Sequence, residues 1–321
     1  MNLPSAAVPV AISMAILLGA CTPEEAQVED VPVPETPSVP FDQSSMEADI
    51  AYLADPALDG RVPGTEGDYA ARDMIAERFA ALGLEGHNGA EDYEQPFTTY
   101  DNDDAANLIG YIAGTDPEVA SDIILVSAHY DHLGNGKLGA NDNASGVSGL
   151  LSIAQAFAEG EPPARTMMFA AFGAEESGFE GAYAFIEASG TAPNPARVVY
   201  NVNMDMIGSY DEEGIVYALG AVEGTAAHDI LAAADTDLEV GLEDISDQSD
   251  NVVFCEVGVP YVFFWTSDHA CYHKKCDTAD RIDGARLVDI AELVFDLADT
   301  LGRSTEDLAG AVKKGVNVCG E

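Results

Sequence analysis

Short apolar runs rich in β-branched and aromatic residues recur along the chain at 123–127 (IILVS), 166–172 (TMMFAAF), 198–204 (VVYNVNM), 215–219 (IVYAL) and 261–265 (YVFFW). Their lengths and compositions predict strands. Helical patterns fall between and around them. Positions 69–82 (YAARDMIAERFAAL) repeat apolar residues at helical spacing and meet Gly83, well placed to stop a helix, and 287–301 repeats them again. The small and apolar residues of 144–158 suit a helix packed closely on a sheet. Strands alternating with helices predict an α/β fold with a mixed, mostly parallel central β-sheet flanked by helices on both faces. In such sheets the ligand site lies at the carboxyl ends of the strands.

The amino end has a different pattern. Residues 1–20 (MNLPSAAVPVAISMAILLGA) carry no charged side chain and hold an apolar stretch at 6–18, a secretory signal too short for a membrane span. The closing Leu18-Gly19-Ala20-Cys21 resembles a bacterial lipobox, in which Cys21 is lipidated, although the leader lacks Lys and Arg. The protein is therefore expected outside the cytoplasm, anchored to a bacterial membrane facing the periplasm or the exterior. Residues 22–43 are rich in Pro and Glu and read as a linker that holds the domain away from that membrane. No internal repeat follows, so 44–321 is expected to be a single catalytic domain, acting as a monomer.

Composition narrows the classes. A 47% hydrophobic content supports a packed core and excludes bulk disorder. A formal charge of -44 repels phosphate backbones and anionic headgroups, so nucleic acid is not an expected partner. Beyond Cys21, the cysteines Cys255, Cys271, Cys276 and Cys319 form an even set in a compartment that permits disulfides, and three pairings are open. A cysteine zinc site ranks lower, because no CxxC spacing occurs.

Candidate chemistry lies at or just beyond the strand ends. His129 and Asp131 follow the first strand, and Asp142 lies in the turn GANDNASG. Glu175 and Glu176 follow the second strand in FGAEESG, Asp205 closes the third in NVNMDMIG, and His273 stands in YHKKCDT. Any one of these carboxylates, in so acidic a chain, has solvated surface as its ordinary explanation. That explanation fails at the ends of strongly apolar strands, where unpaired charge is costly to bury. Neutral imidazole and carboxylate suit zinc, and three protein ligands per ion leave a position for water. Asp142 is the natural bridge between two ions, with His129 and Asp205 completing one, and Glu176 and His273 the other. Adjacent side chains diverge, so Glu175 is left free as a general base. Of the other histidines, His87 and His228 read as surface or helix residues, His132 lies closer to the ligand set, and His269 is the nearest decoy. No phosphate-binding glycine loop and no GxSxG elbow occur.

In order and spacing these segments resemble the co-catalytic di-zinc aminopeptidases of metallopeptidase family 28. The resemblance covers nearly all of the chain after the linker. It rests on LADPALDGRVPGTEGDYAARDMIAERFAALGL, SAHYDHLG, GANDNASGVSGLL, FAAFGAEESGFEGA, NVNMDMIG and YHKKCDTAD. It implies the phosphorylase/hydrolase-like fold of zinc peptidases, two Zn2+ per chain and peptide substrates cleaved at their N-terminus. It also implies His129, Asp142, Glu176, Asp205 and His273 as ligands and Glu175 as the catalytic base. Asp131 matches a carboxylate that orients an imidazole ligand, and Tyr272 matches a tyrosine that helps polarise the scissile carbonyl. There are two departures. Asn251 stands where the family often has a histidine after Ser-Asp, and Lys274-Lys275-Cys276 replaces the usual Thr-Pro after the last ligand. A disulfide loop there could replace the stiffness of that proline. Alternatives on the same fold are a glutaminyl cyclase-like acyl transfer enzyme and a non-catalytic binding protein.

Overall fold

The computed structural model describes residues 1, 27–28, 31–37, 39–188, 191–242, 245, 248–308 and 310. The expected lipidation site Cys21 and the cysteine Cys319 lie outside the described residues. Among those described, no helix is long and apolar enough to cross a membrane. The strands are β1 (Glu85–Gly86), β2 (Glu94–Thr98), β3 (Asp104–Ile112), β4 (Ile123–His129), β5 (Thr166–Phe172), β6 (Val198–Met204), β7 (Val216–Leu219), β8 (Val240–Gly241) and β9 (Tyr261–Trp265). They form one sheet in the order β1-β3-β5-β4-β6-β9-β7-β8, with β2 also paired to β3. The helices are α1 (Gln43–Leu53), α2 (Glu66–Ala81), α3 (Gly146–Glu159), α4 (Glu180–Glu187), α5 (Tyr210–Glu213), α6 (Ala226–Ala232), α7 (Asn251–Glu256) and α8 (Gly284–Arg303).

Strands β5, β4, β6 and β9 run parallel and form the middle of the sheet. Antiparallel pairs lie toward the two edges, β1, β2 and β5 against β3 on one side and β7 against β9 on the other. The middle strands are covered twice, as their apolar composition requires. Alternate residues Ile124, Val126, Met167, Phe169 and Val202 pack with α1, α2, α3 and α8 on one face. Ile123, Leu125, Met168, Ala170 and Phe172 pack with Phe185 of α4 and Phe254 of α7 on the other. The rings of Phe172, Phe185 and Phe254 meet pairwise with centroids 5.7–6.1 Å apart. Burying each such side chain stabilises by roughly 1.5–3 kcal/mol.

The expected helix at 69–82 is α2, started by Thr65, whose side chain accepts the N–H of Asp68 at 3.3 Å. The helix expected at 144–158 begins at Gly146, and the Asn143 side chain accepts the Gly146 N–H at 2.9 Å. Gly146 is needed for packing: a Cβ there would lie 2.7 Å from the Met204 carbonyl oxygen at the end of β6. With four parallel strands side by side, the chain ends of β4, β5, β6 and β9 open on one edge of the sheet. The order turns back on itself between β4 and β6, which is where a crevice forms.

Candidate metal centre

Each predicted site residue is set by its own local device. His129 is the last residue of β4, and its Nδ1 donates to the Asp131 carbonyl oxygen at 3.2 Å, which leaves Nε2 free to accept. Asp142 sits in the irregular turn Ala140–Ser145. The buried Asp277 carboxylate accepts the N–H groups of Asn141 (2.9 Å) and Asp142 (3.1 Å) and fixes that turn. Asp205 follows β6. The next three N–H groups, of Met206, Ile207 and Gly208, donate to Asn143 Oδ1 (3.3 Å), Ser145 Oγ (3.1 Å) and Asn141 Oδ1 (2.7 Å). The turn bearing Asp142 is thereby sewn to the segment bearing Asp205. Glu175 and Glu176 follow β5, and their N–H groups donate to Asp131 Oδ1 (3.0 Å) and Oδ2 (3.3 Å). His273 lies within the loop closed by the Cys271–Cys276 disulfide. The left-handed backbone of Ala174 (φ 59°), Met206 (φ 55°) and His273 (φ 53°) brackets the cluster, as strained conformations often do at functional sites.

The side chains converge. His129 Nε2 lies 3.2 Å from Asp205 Oδ1 and 3.4 Å from Asp142 Oδ1. On the other side of the same carboxylate, Asp142 Oδ2 lies 3.1 Å from His273 Nε2, which is also 3.3 Å from Glu176 Oε2. Glu175 stands back, its Oε2 4.0 Å from His129 Nε2. Tyr272 stacks on His273 with ring centroids 3.9 Å apart and lines the cleft with Met206, Phe263 and Trp265. All eight residues predicted for the site therefore meet at one place.

Electrostatics mark the same spot. Burial, with the carboxylates of Asp205, Asp250 and Asp131 adding to it, lifts Glu175 well above the carboxylate range against the pull of His129. Burial lifts Glu176 to about 7 and raises Asp142 as well. Burial alone would keep His129 neutral, but Asp205 and Glu175 push its pKa well above the usual value. His273 is raised by the Asp142 carboxylate beside it. Buried atoms without a hydrogen-bond partner concentrate here too: His129 Nε2, His132 Nδ1 and Nε2, Asp142 Oδ2, Glu176 Oε1 and Asp205 Oδ1. Such crowding of buried carboxylate demands positive charge, and unpaired imidazole nitrogens facing carboxylate oxygens are the donor set of a divalent cation. The residues fit a metal centre. Among the described residues, the groupings that could hold an ion are His129–Asp142–Asp205 and His132–Asp142–Glu176.

Three residues contribute that the sequence reading left without a role. His132 is buried with Nδ1 2.6 Å from Glu176 Oε1, and burial holds it neutral, its pKa down to about 4. Arg61 is wholly buried and donates to the carbonyls of Leu53, Tyr130, Leu138 and Gly139. Burial lowers its guanidinium to about 10, so a fixed cation stays charged beneath the acidic cluster at neutral pH. Asp277 is the third, through its hold on the Asp142 turn. The one visible signal for Arg61 was a basic residue inside LDGRVPGT in a chain with only 13 Lys and Arg. Of the predicted ligands, His273 joins neither grouping, although its Nε2 lies 3.1 Å from Asp142 Oδ2 and 3.3 Å from Glu176 Oε2, and His132 stands in the second grouping instead. His269 and His228 join neither as well, and His87 bonds the Pro193 carbonyl oxygen. Asn251 is buried at the start of α7.

A model of Peptidase family M28 matches residues 107–298. Aminopeptidase YwaD of Bacillus subtilis (strain 168) is 29% identical over 183 residues, 54% of this chain and 40% of that relative, so the match spans less than half the length of the relative. Among solved structures, BSAP, a zinc aminopeptidase from Bacillus subtilis, aligns with a TM-score of 0.68 at 20% identity, covering 84% of this chain and 97% of that one. Glutaminyl cyclase of Porphyromonas gingivalis aligns with a TM-score of 0.67 at 20% identity, covering 81% and 99%. These two likenesses establish a common fold.

Proposed function

Because the chain belongs to peptidase family M28, we propose that it is a zinc-dependent aminopeptidase that removes residues from the N-terminus of peptides and holds two cations. The observation that carries this reading is the two-sided engagement of Asp142, whose Oδ1 faces His129 at 3.4 Å while its Oδ2 faces His273 at 3.1 Å. His129 and Asp205 would hold one cation, Glu176 and His273 the other, and Asp142 both. When bound, zinc polarises the scissile carbonyl and makes water acidic enough to attack near neutral pH. Glu175, close to the ligands but outside their spacing, takes the proton of the attacking water and returns it to the leaving amine. Tyr272, which lines the cleft, would donate its hydroxyl to the developing oxyanion. Met206, Phe263 and Trp265 also line that cleft, where the N-terminal residue would be received.

The reading includes a single domain acting as a monomer, with a lipid anchor at Cys21 and work outside the cytoplasm. The Cys271–Cys276 disulfide, a bond that oxidising compartments permit, supports the location. A panel of aminoacyl-nitroanilides assayed with and without chelator tests the activity. Release that is abolished by chelator and restored by zinc is expected, and hydrolysis undiminished in metal-free protein would refute the proposal. Cyclisation of a peptide with N-terminal glutamine, together with one zinc per chain, would instead establish the glutaminyl cyclase alternative.

A further inference from the structure

The cluster contains one more imidazole than the two that the reading uses. His132 is wholly buried, and neither of its ring nitrogens has a hydrogen-bond partner among the described residues. Its Nδ1 lies 2.6 Å from Glu176 Oε1 and 3.7 Å from Asp142 Oδ2. His273 Nε2 approaches the same Asp142 Oδ2 at 3.1 Å but the other oxygen of Glu176, Oε2, at 3.3 Å, so the two imidazoles reach Glu176 from its two sides. Zinc bonds of about 2.0–2.1 Å in a tetrahedron separate neighbouring ligand atoms by roughly 3.3–3.4 Å. Most of these spacings cluster around that value, with the 2.6 Å contact the shortest. The two rings stand 5.8 Å apart at 60° to each other, converging from different directions rather than stacking. His132 cannot easily swing away: Gly139 lies against it, and a Cβ there would come within 2.6 Å of His132 Cγ. His129, by contrast, is the imidazole that faces Asp205 and Asp142 Oδ1, with no other among the described residues paired to either oxygen.

Resting on the two-cation reading above, we infer that His132 is a further ligand of the second cation, so that this position has four protein ligands and the first has three. Four protein ligands close a tetrahedral site, as in structural zinc centres, while three leave it open. The two positions therefore differ in kind. The cation at Asp142, Glu176, His132 and His273 is the firmly held one. The cation at His129, Asp205 and Asp142 exchanges and keeps an open place. The chief rival role for His132 is that of an N–H donor that orients Glu176 without touching metal.

X-ray absorption at the zinc edge of the zinc-loaded full-length chain counts imidazoles directly and needs no variant. Three imidazoles for every two zinc ions are expected, and two for every two would overturn the inference while leaving the aminopeptidase reading intact. A chain that takes up no zinc would overturn both. Dialysis against graded chelator gives a second measurement, with zinc content read by elemental analysis. The wild type should lose its two ions in separate steps, and His132→Ala should bind the firmly held ion on the order of 100-fold more weakly, bringing the steps together. His132→Gln keeps an amide donor toward Glu176, so restoration of the second step by that variant would assign His132 to orientation and overturn ligation.

Discussion

The Asp131 carboxylate accepts the backbone N–H of Glu175 at 3.0 Å, and its other oxygen accepts that of Glu176 at 3.3 Å. The resemblance assigns this side chain to the His129 imidazole, but here it is the Asp131 main-chain oxygen that meets His129 Nδ1, with Oδ1 3.8 Å away. The carboxylate thus fixes the loop that carries one ligand and the base. An amide offers one acceptor oxygen where a carboxylate offers two, so Asp131→Asn strips one N–H of its partner. We expect kcat/KM to fall about 10–100-fold, mainly in kcat, with the far-ultraviolet circular dichroism unchanged. Steady-state kinetics on a nitroanilide substrate measure this, and wild-type turnover would contradict the role.

Glu175 and Glu176 are adjacent but point at different tasks. Glu176 faces two imidazoles at 2.6 and 3.3 Å, whereas Glu175 comes no nearer than 4.0 Å to the His129 imidazole. Glu175→Gln should therefore lower kcat by about 10²–10⁴-fold and leave the zinc content untouched. Glu176→Gln should lower the zinc content itself. Elemental analysis beside kinetics separates the two, and loss of metal from the Glu175 variant would count against its assignment as base.

What could be read in advance was local. The five strands predicted from apolar runs lie within a residue or two of β4, β5, β6, β7 and β9; His129, Glu176 and Asp205 are legible because they close or closely follow such strands, whereas Asp142 and His273 stand in loops. Strand β3 escaped because its logic is tertiary. Asn107 is buried within it and is satisfied by the Gly181 carbonyl and by Gln95, and Gly110 is small because Phe79 and Leu84 press on it. Helices α4, α6 and α7 are too short for helical periodicity to stand out. Arg61 and Asp277 act on backbone 77 or more residues away, on Leu138 and Gly139 in one case and Asn141 and Asp142 in the other, and no spacing rule reveals such a partner.

Asp277 gives that long-range contribution a test. Its two hydrogen bonds to buried N–H groups involve a charged acceptor, worth about 1.5–3 kcal/mol each at most. Asp277→Ala leaves both donors buried and unpaired and loosens the turn under Asp142. A loss of roughly 2–4 kcal/mol in stability is expected, together with weaker zinc retention. Thermal unfolding of the metal-free and zinc-loaded proteins checks both effects, and a variant matching the wild type in each state would show that the turn holds itself.

The acid side of the stability profile carries a separate prediction, away from the metal centre. His87 is buried against Phe185, its Nε2 donates to the Pro193 carbonyl oxygen at 3.0 Å, and the next residue's N–H bonds the Ala192 carbonyl at 2.7 Å. Together they tie the 191–193 segment beside β1. Burial disfavours the charged ring and holds its pKa below the usual value, with the Pro193 bond opposing only in part. Below about pH 6.5 the unfolded chain therefore binds a proton at this ring more readily than the folded one does. The contribution is fully present above the unfolded pKa and is lost as pH falls through the folded one. His87→Gln cannot titrate, so the gap in Tm between wild type and variant should be widest near pH 7.5 and shrink as pH is lowered to 5. Paired melting curves across that range decide the matter, because every other titrating group is common to both proteins and cancels in the difference; a constant gap would mean that the ring carries no linked proton.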